Sequence, residues 1–320
     1  MEQCRTTTSL AAGGQTIALL LLILTGVGCA ERGDPDPVLA DLPMLYADQA
    51  DDSAPWVVVP LTIDSQEYRF VIDTCCSSTT FDRSLRSVLG ATVGTTLSDR
   101  NLRDVTVEVE RCEVPKDFHM GRIELTGAVE CLDLAAVEGR KTPYPHNGII
   151  GMDVLDGKVL DLDLINRRVR LLRPESTGES PYGERSDPIP LTRDRHRFAV
   201  VKIQLADSVE ESFLLDTGML GANWLRAELF EQIKDRPDVR FAQGQNVEMI
   251  VVDEMRIGDI VLSNMTFVRG TQSILGTAFL ARVRILTLNL RNNRLYLEPR
   301  EESTTESVRA VHRFTAVGRV

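Results

Sequence analysis

The stretch Phe70-Val71-Ile72-Asp73-Thr74 decides the predicted fold of this chain. A similar stretch occurs later, at Phe213-Leu214-Leu215-Asp216-Thr217-Gly218. Each is a short apolar run that ends abruptly in Asp-Thr, and such a run predicts a buried strand. An Asp at the end of a buried strand places a carboxylate at the edge of a core, where ionisation is costly. Two such carboxylates that face each other can share one proton, because like charges in contact cannot both ionise easily. The sequence therefore contains two carboxylates, Asp73 and Asp216, that could form an acid–base pair.

The sequence around these two stretches is also repeated. Strand-forming segments rich in β-branched residues precede both stretches, at residues 56–63 and 198–205. Residues 147–155 (Asn-Gly-Ile-Ile-Gly-Met-Asp-Val-Leu) match residues 273–280 (Ser-Ile-Leu-Gly-Thr-Ala-Phe-Leu), and a strand–turn–strand pattern follows each of them. Apolar spacing predicts a short helix after each Asp loop. We therefore predict an internal duplication of two mostly β halves.

The N-terminus carries a targeting signal at residues 1–29. Its apolar core, residues 17–24, is too short to span a bilayer and fits a signal peptide. The small residues that precede Cys29 resemble a bacterial lipoprotein signal, in which Cys29 is the lipid attachment site. The alternative is an ordinary cleaved signal with an incidental cysteine. Either signal predicts export to the bacterial cell envelope, in the periplasm or on the outer surface, and the lipoprotein signal adds a lipid anchor.

Composition divides the rest of the chain. Residues 30–54 are acidic and rich in Pro and Asp, which predicts a tether. Residues 174–189 lack apolar periodicity and predict a linker between an N-terminal half, 55–173, and a C-terminal half, 190–299. Residues 300–320 predict a polar tail.

Charge and residue spacing exclude several functions. The 36 Lys and Arg residues against 47 Asp and Glu residues give a net charge of -11, which argues against nucleic acid and anionic membrane surfaces as partners. The four histidines are scattered and no Cys-x-x-Cys is present, so we predict no metal site and no cofactor. Contact with a membrane would then come through the lipid anchor only.

Cysteine usage suggests a disulfide in an exported protein. Cys112 and Cys131 flank a predicted hairpin and are the first candidates for a disulfide bond. Cys75 and Cys76 are adjacent, a spacing that favours pairing elsewhere over pairing with each other. The alternative is four buried thiols. Cys75 has no nearby His in sequence, so a packed or disulfide-bonded sulfur is favoured over a nucleophile.

Each half carries, in order, Asp-Thr at the end of an apolar run and a later apolar-apolar-Gly motif, Ile149-Ile150-Gly151 or Ile274-Leu275-Gly276. In this pattern the chain resembles the retropepsin-like aspartic peptidases, and each half is similar to one unit of that family. The resemblance implies an all-β fold of two tandem retropepsin-like acid-protease β-barrel lobes with short helices, similar to the two-lobed, single-chain arrangement of pepsin-like enzymes. It also implies an aspartic endopeptidase that hydrolyses a peptide or protein substrate.

The resemblance gives Asp73 and Asp216 the role of catalytic dyad. The ionised Asp would take a proton from a bound water as it attacks a peptide carbonyl, and the protonated Asp would stabilise the oxyanion. The residues that would support the active-site loops are Thr74, Thr217, Gly218, Gly151 and Gly276.

Two departures from the family pattern keep other functions open. Cys75 stands where the family has Gly, and Met219 stands where it has a small or hydroxyl residue. A second hypothesis is therefore a catalytically inactive relative that binds peptides or partners in the interlobe cleft. A third has each lobe pairing with its counterpart in another chain, in place of a monomer with an internal pseudo-dimer.

Overall fold

The computed structural model of the chain describes residues 37–45, 56–100, 105–138, 145–173, 187–206, 209–243 and 247–300. These residues all belong to one compact unit. The predicted signal peptide with Cys29 lies outside the described residues, as do most of the predicted tether, linker and tail.

Strands dominate the described residues, at 55% strand to 12% helix, which confirms a mostly β fold. The strands of the first half are β1 (Val38–Pro43), β2 (Val58–Ile63), β3 (Gln66–Ile72), β4 (Thr80–Asp82), β5 (Thr92–Arg100), β6 (Val105–Glu113), β7 (His119–Met120), β8 (Ile123–Glu124), β9 (Ala128–Leu132), β10 (Gly148–Ile150), β11 (Val159–Asp163) and β12 (Arg168–Leu172). Its helices are a 3-10 helix (Arg83–Val88), α1 (Leu134–Glu138) and α2 (Met152–Leu155).

The second half repeats most of this order. Its strands are β13 (Ile189–Arg193), β14 (Ala199–Leu205), β15 (Val209–Leu215), β16 (Asn223–Arg226), β17 (Val239–Gln243), β18 (Glu248–Ile257), β19 (Ile260–Gly270), β20 (Ile274–Leu275), β21 (Val283–Asn289) and β22 (Arg294–Pro299). Its helices are α3 (Ala227–Ile233) and α4 (Thr277–Leu280).

Strand pairing repeats with the element order. In the first half β3 pairs with β10 in parallel, β10 with β4 antiparallel and β4 with β9 in parallel. In the second half β15, β20, β16 and β19 make the same three pairings in the same directions. In the second half, a further pairing of β14 with β18 closes six strands into a barrel. Within the described residues the strands form two sheets, of 13 and nine strands.

The two halves join through the antiparallel pair β11 and β21, in register from Val159 opposite Asn289 to Asp163 opposite Ile285. Around this pair the strand order is β1-β12-β11-β21-β22-β13, so both halves contribute to one continuous layer. The layer also contains a buried carboxylate, Asp161, which accepts a hydrogen bond from the Thr287 hydroxyl at 2.6 Å and pairs with Arg170 at 3.1 Å.

Strand β1 lies inside the segment for which the sequence predicted a tether. It pairs with β12 along the edge of the joining layer, and the buried Ala40 contacts the main core. Arg168 on β12 donates to the Asp41 carboxylate at 2.9 Å. The acidic segment 30–54 therefore includes a strand, which is held by its pairing with β12 and by the burial of Ala40.

Alternation along β3 sets the direction of the Asp73 side chain. Phe70 and Ile72 are fully buried in the main core, where Phe70 meets Phe81 edge-on at 5.1 Å. Val71 points to the opposite face and packs in a second apolar cluster with Trp56. Because successive side chains of a strand point to opposite faces, the Asp73 carboxyl leaves the sheet on the Val71 face.

Candidate active site

The two acidic side chains stand at equivalent points of the repeated structure. The Asp73 amide, just past β3, donates to the carbonyl of Ile150 on β10 at 3.1 Å. The Asp216 amide, just past β15, donates to the carbonyl of Leu275 on β20 at 2.9 Å. The apolar-apolar-Gly strands therefore hold both Asp loops at their starting points.

Thr74 and Thr217 connect the two Asp loops through four reciprocal hydrogen bonds. The Thr74 amide donates to Thr217 Oγ1 at 3.2 Å, and the Thr217 amide donates to Thr74 Oγ1 at 3.1 Å. The Thr74 hydroxyl donates to the Leu215 carbonyl at 2.5 Å, and the Thr217 hydroxyl donates to the Ile72 carbonyl at 2.6 Å. Both threonines are buried, at 0% and 2% exposure, so water does not compete for these bonds. The contact lies within one chain.

Gly218 brings the two loops into direct contact beside Asp73. A Cβ placed on Gly218 would lie 2.4 Å from both Cγ and Oδ2 of Asp73, well inside contact distance. The Asp73 carboxyl therefore packs on the backbone of the loop that holds Asp216. A glycine is required here because a side chain would prevent this close approach.

Backbone amides fix the orientation of each carboxyl group. Asp73 Oδ1 accepts the Cys75 amide at 2.7 Å. Asp216 Oδ1 accepts the amides of Gly218 at 2.9 Å and Met219 at 2.8 Å. In both residues Oδ1 is held by the residue's own loop.

Burial raises the pKa values of both acidic side chains. Desolvation raises the pKa of Asp73 from 3.8 to about 6, although amide hydrogen bonds from Cys75 and Cys76 lower it. Desolvation also raises the pKa of Asp216 well above its ordinary value, and the negative charge of Asp73 adds to that rise. The negative charge of one carboxylate therefore opposes ionisation of the other, and the two side chains titrate as a pair.

Gly151 and Gly276 support the two loops from behind. A Cβ on Gly151 would lie 2.7 Å from the Cys76 carbonyl oxygen, and one on Gly276 would lie 2.8 Å from the Met219 carbonyl oxygen. The amides that follow these glycines donate to the same two carbonyls, at 2.7 Å from Met152 and 3.0 Å from Thr277. The glycine of each apolar-apolar-Gly motif thus leaves room for an Asp loop, and the amide that follows it binds that loop.

Further positioning residues were not identified from the sequence. Asp153 accepts the amide and the hydroxyl of Thr79, both at 2.8 Å, and Thr79 Oγ1 accepts the Gly151 amide at 3.3 Å. In the second half Asn223 accepts the Gly276 amide at 3.1 Å. Asp153 lies inside the repeated 147–155 motif, and that position was the available signal, whereas nothing in the sequence marks Asn223.

The thiol of Cys75 reaches across to the second half. Its Sγ donates to the Leu215 carbonyl at 3.5 Å, the same oxygen that the Thr74 hydroxyl uses. Burial raises the pKa of this thiol well above 9, and the charges of Asp216 and Asp73 raise it further. A thiol that resists ionisation is a poor nucleophile, which agrees with the packed sulfur favoured from the sequence.

The other cysteines leave the disulfide prediction open. Cys112 and Cys131 lie on the neighbouring strands β6 and β9, fully buried, and both are free thiols in the structure. Cys29, the predicted lipid attachment site, is outside the described residues.

An apolar cluster beside the Asp loops also joins the two halves. Trp56, Val58 and Val71 of the first half pack against Leu220, which follows the second Asp loop. Val71 shares its face with Asp73, so this apolar surface lies on the side of the sheet to which the carboxyl points.

The described residues contain no group of three or more His, Cys, Asp or Glu side chains arranged to hold a metal ion. Nor does any helix in those ranges have the length and apolar character needed to cross a membrane. The chain matches no protein-family model and no curated protein.

Proposed function

We propose that the chain is an aspartic endopeptidase in which Asp73 and Asp216 activate one water for the hydrolysis of peptide bonds. The observation that carries the proposal is the reciprocal pairing of the buried Thr74 with the buried Thr217, which brings the two Asp loops together in one chain. The repeated strand pairings support an arrangement of two retropepsin-like lobes, similar to the pepsin-like enzymes that the sequence motifs resemble.

The difference in pKa between the Asp73 and Asp216 carboxyl groups gives them different roles. Asp73, with the pKa nearer neutrality, is the base that takes a proton from water as the oxygen attacks the peptide carbonyl. Asp216 keeps its proton and donates a hydrogen bond to the oxygen on which negative charge develops. The proton taken by Asp73 then passes to the leaving nitrogen. Both Oδ1 atoms are already occupied by backbone amides, so Oδ2 of each residue is the atom assigned to water and substrate.

The direct test removes one carboxylate at a time. Asp73→Asn and Asp216→Asn keep an oxygen that accepts the loop amides but remove the acid–base function, so cleavage of an unfolded protein at mildly acidic pH should fall at least ~100-fold. Asp64→Asn is the matched control, because Asp64 is exposed in the β2–β3 turn and its φ of 49° suits Asn. Unchanged cleavage by Asp216→Asn would exclude the mechanism.

A second candidate function is peptide or partner binding without catalysis. The observation that favours it concerns Cys75, which stands where the family that the chain resembles has glycine. Its sulfur lies in the interface between the halves, beside Asp216. A statine-type peptide inhibitor that raises the melting temperature of a protein without cleavage activity would support this function. Restoration of cleavage by Cys75→Gly would then identify the sulfur as the obstacle.

The proposal includes a location. Residues 1–29 would direct export, and acylation of Cys29 would hold the protein at the cell envelope with peptide or protein substrates as its partners. Mass spectrometry of the protein from cells that express the full chain tests this, since a diacylglyceryl group on Cys29 is directly measurable. An unmodified N-terminus beyond Cys29 would instead indicate an ordinary signal peptide.

A further inference from the structure

The loop that holds Asp73 contains two adjacent thiols, Cys75 and Cys76. Both side chains are partly exposed, whereas Cys112 and Cys131 are fully buried. The two thiols point to different partners. Cys75 Sγ donates to the Leu215 carbonyl of the second half at 3.5 Å, and Cys76 Sγ donates to the Ser78 carbonyl of its own loop at 3.1 Å. Among the described cysteines, these two residues are therefore the more exposed.

The backbone of the same two residues orients the acidic pair. The Cys75 amide donates to Asp73 Oδ1 at 2.7 Å, and the Cys76 carbonyl accepts the Met152 amide at 2.7 Å. Any change that bends the peptide between Cys75 and Cys76 moves the amide that holds Asp73. The position of the Asp73 carboxyl thus depends on the shape of a dithiol segment.

A bond between adjacent cysteines forces such a change. Consecutive Cα atoms lie about 3.8 Å apart across a trans peptide, whereas disulfide-bonded residues have Cα atoms about 4.4–6.8 Å apart. The two thiols also have to turn toward each other and give up their carbonyl partners. Such a bond stores strain, and strained disulfides are easily reduced, which suits a reversible modification better than a structural link.

We propose that Cys75 and Cys76 form a reversible oxidation site, in which closure of a disulfide between them misaligns the Asp73–Asp216 pair and abolishes its function. The consequence for catalysis rests on the proposed function, but formation of the bond and movement of the carboxyl groups do not.

The chemistry needs a small-molecule disulfide, RSSR, as the oxidant. The small fraction of Cys76 that is present as thiolate attacks RSSR to form a mixed disulfide and releases one RSH. The neighbouring cysteine then attacks the mixed disulfide, closes the Cys75–Cys76 bond and releases a second RSH. Two electrons pass from the two thiols to RSSR, and their two protons are carried away on the two RSH molecules. Burial raises the pKa of Cys76 to about 12, so oxidation should be slow at neutral pH and faster as the pH rises.

The experiment treats the full chain with oxidised glutathione, blocks remaining thiols and digests with trypsin. Cleavage after Arg69 and Arg83 yields peptide 70–83, in which Cys75 and Cys76 are the sole cysteines. We expect this peptide to lose the mass of two hydrogen atoms and to recover it with dithiothreitol. Cys76→Ser is the matched control, because it keeps Cys75 but cannot close the bond, so its peptide should never show that loss.

The state of the acidic pair is measured without catalysis, from the melting temperature at a series of pH values. In the reduced protein the two raised Asp pKa values should lower stability as the pH rises from 4 to 7. In the oxidised protein this decrease should shrink at least twofold, because separated and hydrated carboxyl groups return toward their ordinary pKa values.

The outcomes separate this inference from the proposed function. A reversible loss of two hydrogens together with a flattened pH dependence supports the oxidation site even if the reduced protein cleaves nothing. If peptide 70–83 keeps two free thiols, or carries a lasting glutathione adduct, the inference is wrong. It is also wrong if the bond forms and the pH dependence of stability stays unchanged.

Discussion

Thr74 and Thr217 each provide a hydroxyl that accepts the amide of the other and donates to a carbonyl across the same interface. Each hydroxyl therefore satisfies one buried N–H and one buried C=O that belong to the two Asp loops. A buried polar group without a partner is costly, so these two side chains hold the halves in one relative position at the junction of the two Asp loops.

Replacing either threonine with valine should weaken this junction. Valine keeps the shape but leaves one amide and one carbonyl without partners, so Thr217→Val should reduce the free energy of unfolding by about 2–4 kcal/mol. Thr217→Ser, which keeps the hydroxyl, is the control and should lose less than about half of that. Chemical denaturation at pH 7 measures both variants. Equal stability of the Val and Ser variants would show that the hydroxyl bonds contribute little.

Gly218 should tolerate no side chain. The Cβ of Gly218→Ala would meet the Asp73 carboxyl at 2.4 Å, and the loops would have to separate by several tenths of an ångström or more. We expect at least a ~10-fold loss of cleavage and weaker binding of a statine-type inhibitor, because the positions of the reacting groups tolerate little error. Gly94→Ala is the matched control, since a Cβ on Gly94 would meet no atom within 4 Å. An active Gly218→Ala protein would mean that the loops do not approach as closely as the structure indicates.

The sequence predicted much of this site because the signals were short and repeated. Asp73 and Asp216 each end an apolar run, and the structure places both runs as buried strands beside the apolar-apolar-Gly strands. Local patterns of this kind carry their own geometry, since a strand pattern and a turn residue act within a few positions.

Other features depend on contacts between distant residues and gave no local signal. Strand β1 lies in an acidic segment and was not predicted, because its partner β12 is far away in sequence, with Asp41 and Arg168 separated by 127 positions. The apolar spacing predicted a short helix after the second Asp loop. That helix is preceded by strand β16, because pairing of residues 223–226 with β19 overrides the helical spacing there. The Asp153–Thr79 contact likewise joins residues that are 74 positions apart.

The pH dependence of cleavage should follow the ionisation of Asp73. As the pH falls through about 6, Asp73 gains a proton and can no longer accept one from water, so kcat/KM should decrease on the acid side with an apparent pKa near 6. Activity should also decrease at higher pH, once Asp216 loses its proton. Initial rates with a peptide substrate across pH 3–9 measure both limbs. A rate that still rises below pH 4 would contradict the assignment of Asp73 as a base with a raised pKa.

The same raised pKa values should make the acidic pair a source of instability at neutral pH. Above 3.8 the unfolded chain gives up its Asp protons before the folded protein does, so the free energy of unfolding falls until the pH passes the folded-state pKa of about 6. Asp73→Asn removes this loss and should stabilise the protein by on the order of 2 kcal/mol at pH 7, with little effect at pH 4. Thermal unfolding of both proteins at the two pH values tests this. A variant that is less stable than the unmodified protein at pH 7 would refute it.

Asp153 should control the first Asp loop without touching substrate. Its carboxylate accepts two hydrogen bonds from Thr79, and its own amide donates to the Ser77 carbonyl, so it connects α2 to the loop that contains Cys75 and Cys76. Asp153→Ala leaves the buried Thr79 amide unpaired and should cost about 2–3 kcal/mol of stability, whereas Asp117→Ala, at an exposed position, should change it by less than about 0.5 kcal/mol.

If Asp153 positions the first Asp loop, Asp153→Ala should also change the pH dependence of cleavage. Because Asp73 takes its orientation from the Cys75 amide in this loop, a loosened loop should shift the acid limb of the pH–rate profile toward the ordinary Asp pKa, as water reaches the carboxyl group. Asp153→Asn keeps one acceptor oxygen for Thr79 and should restore part of both the stability and the profile. Loss of stability with an unshifted acid limb would limit Asp153 to holding the fold together, with no influence on the acidic pair.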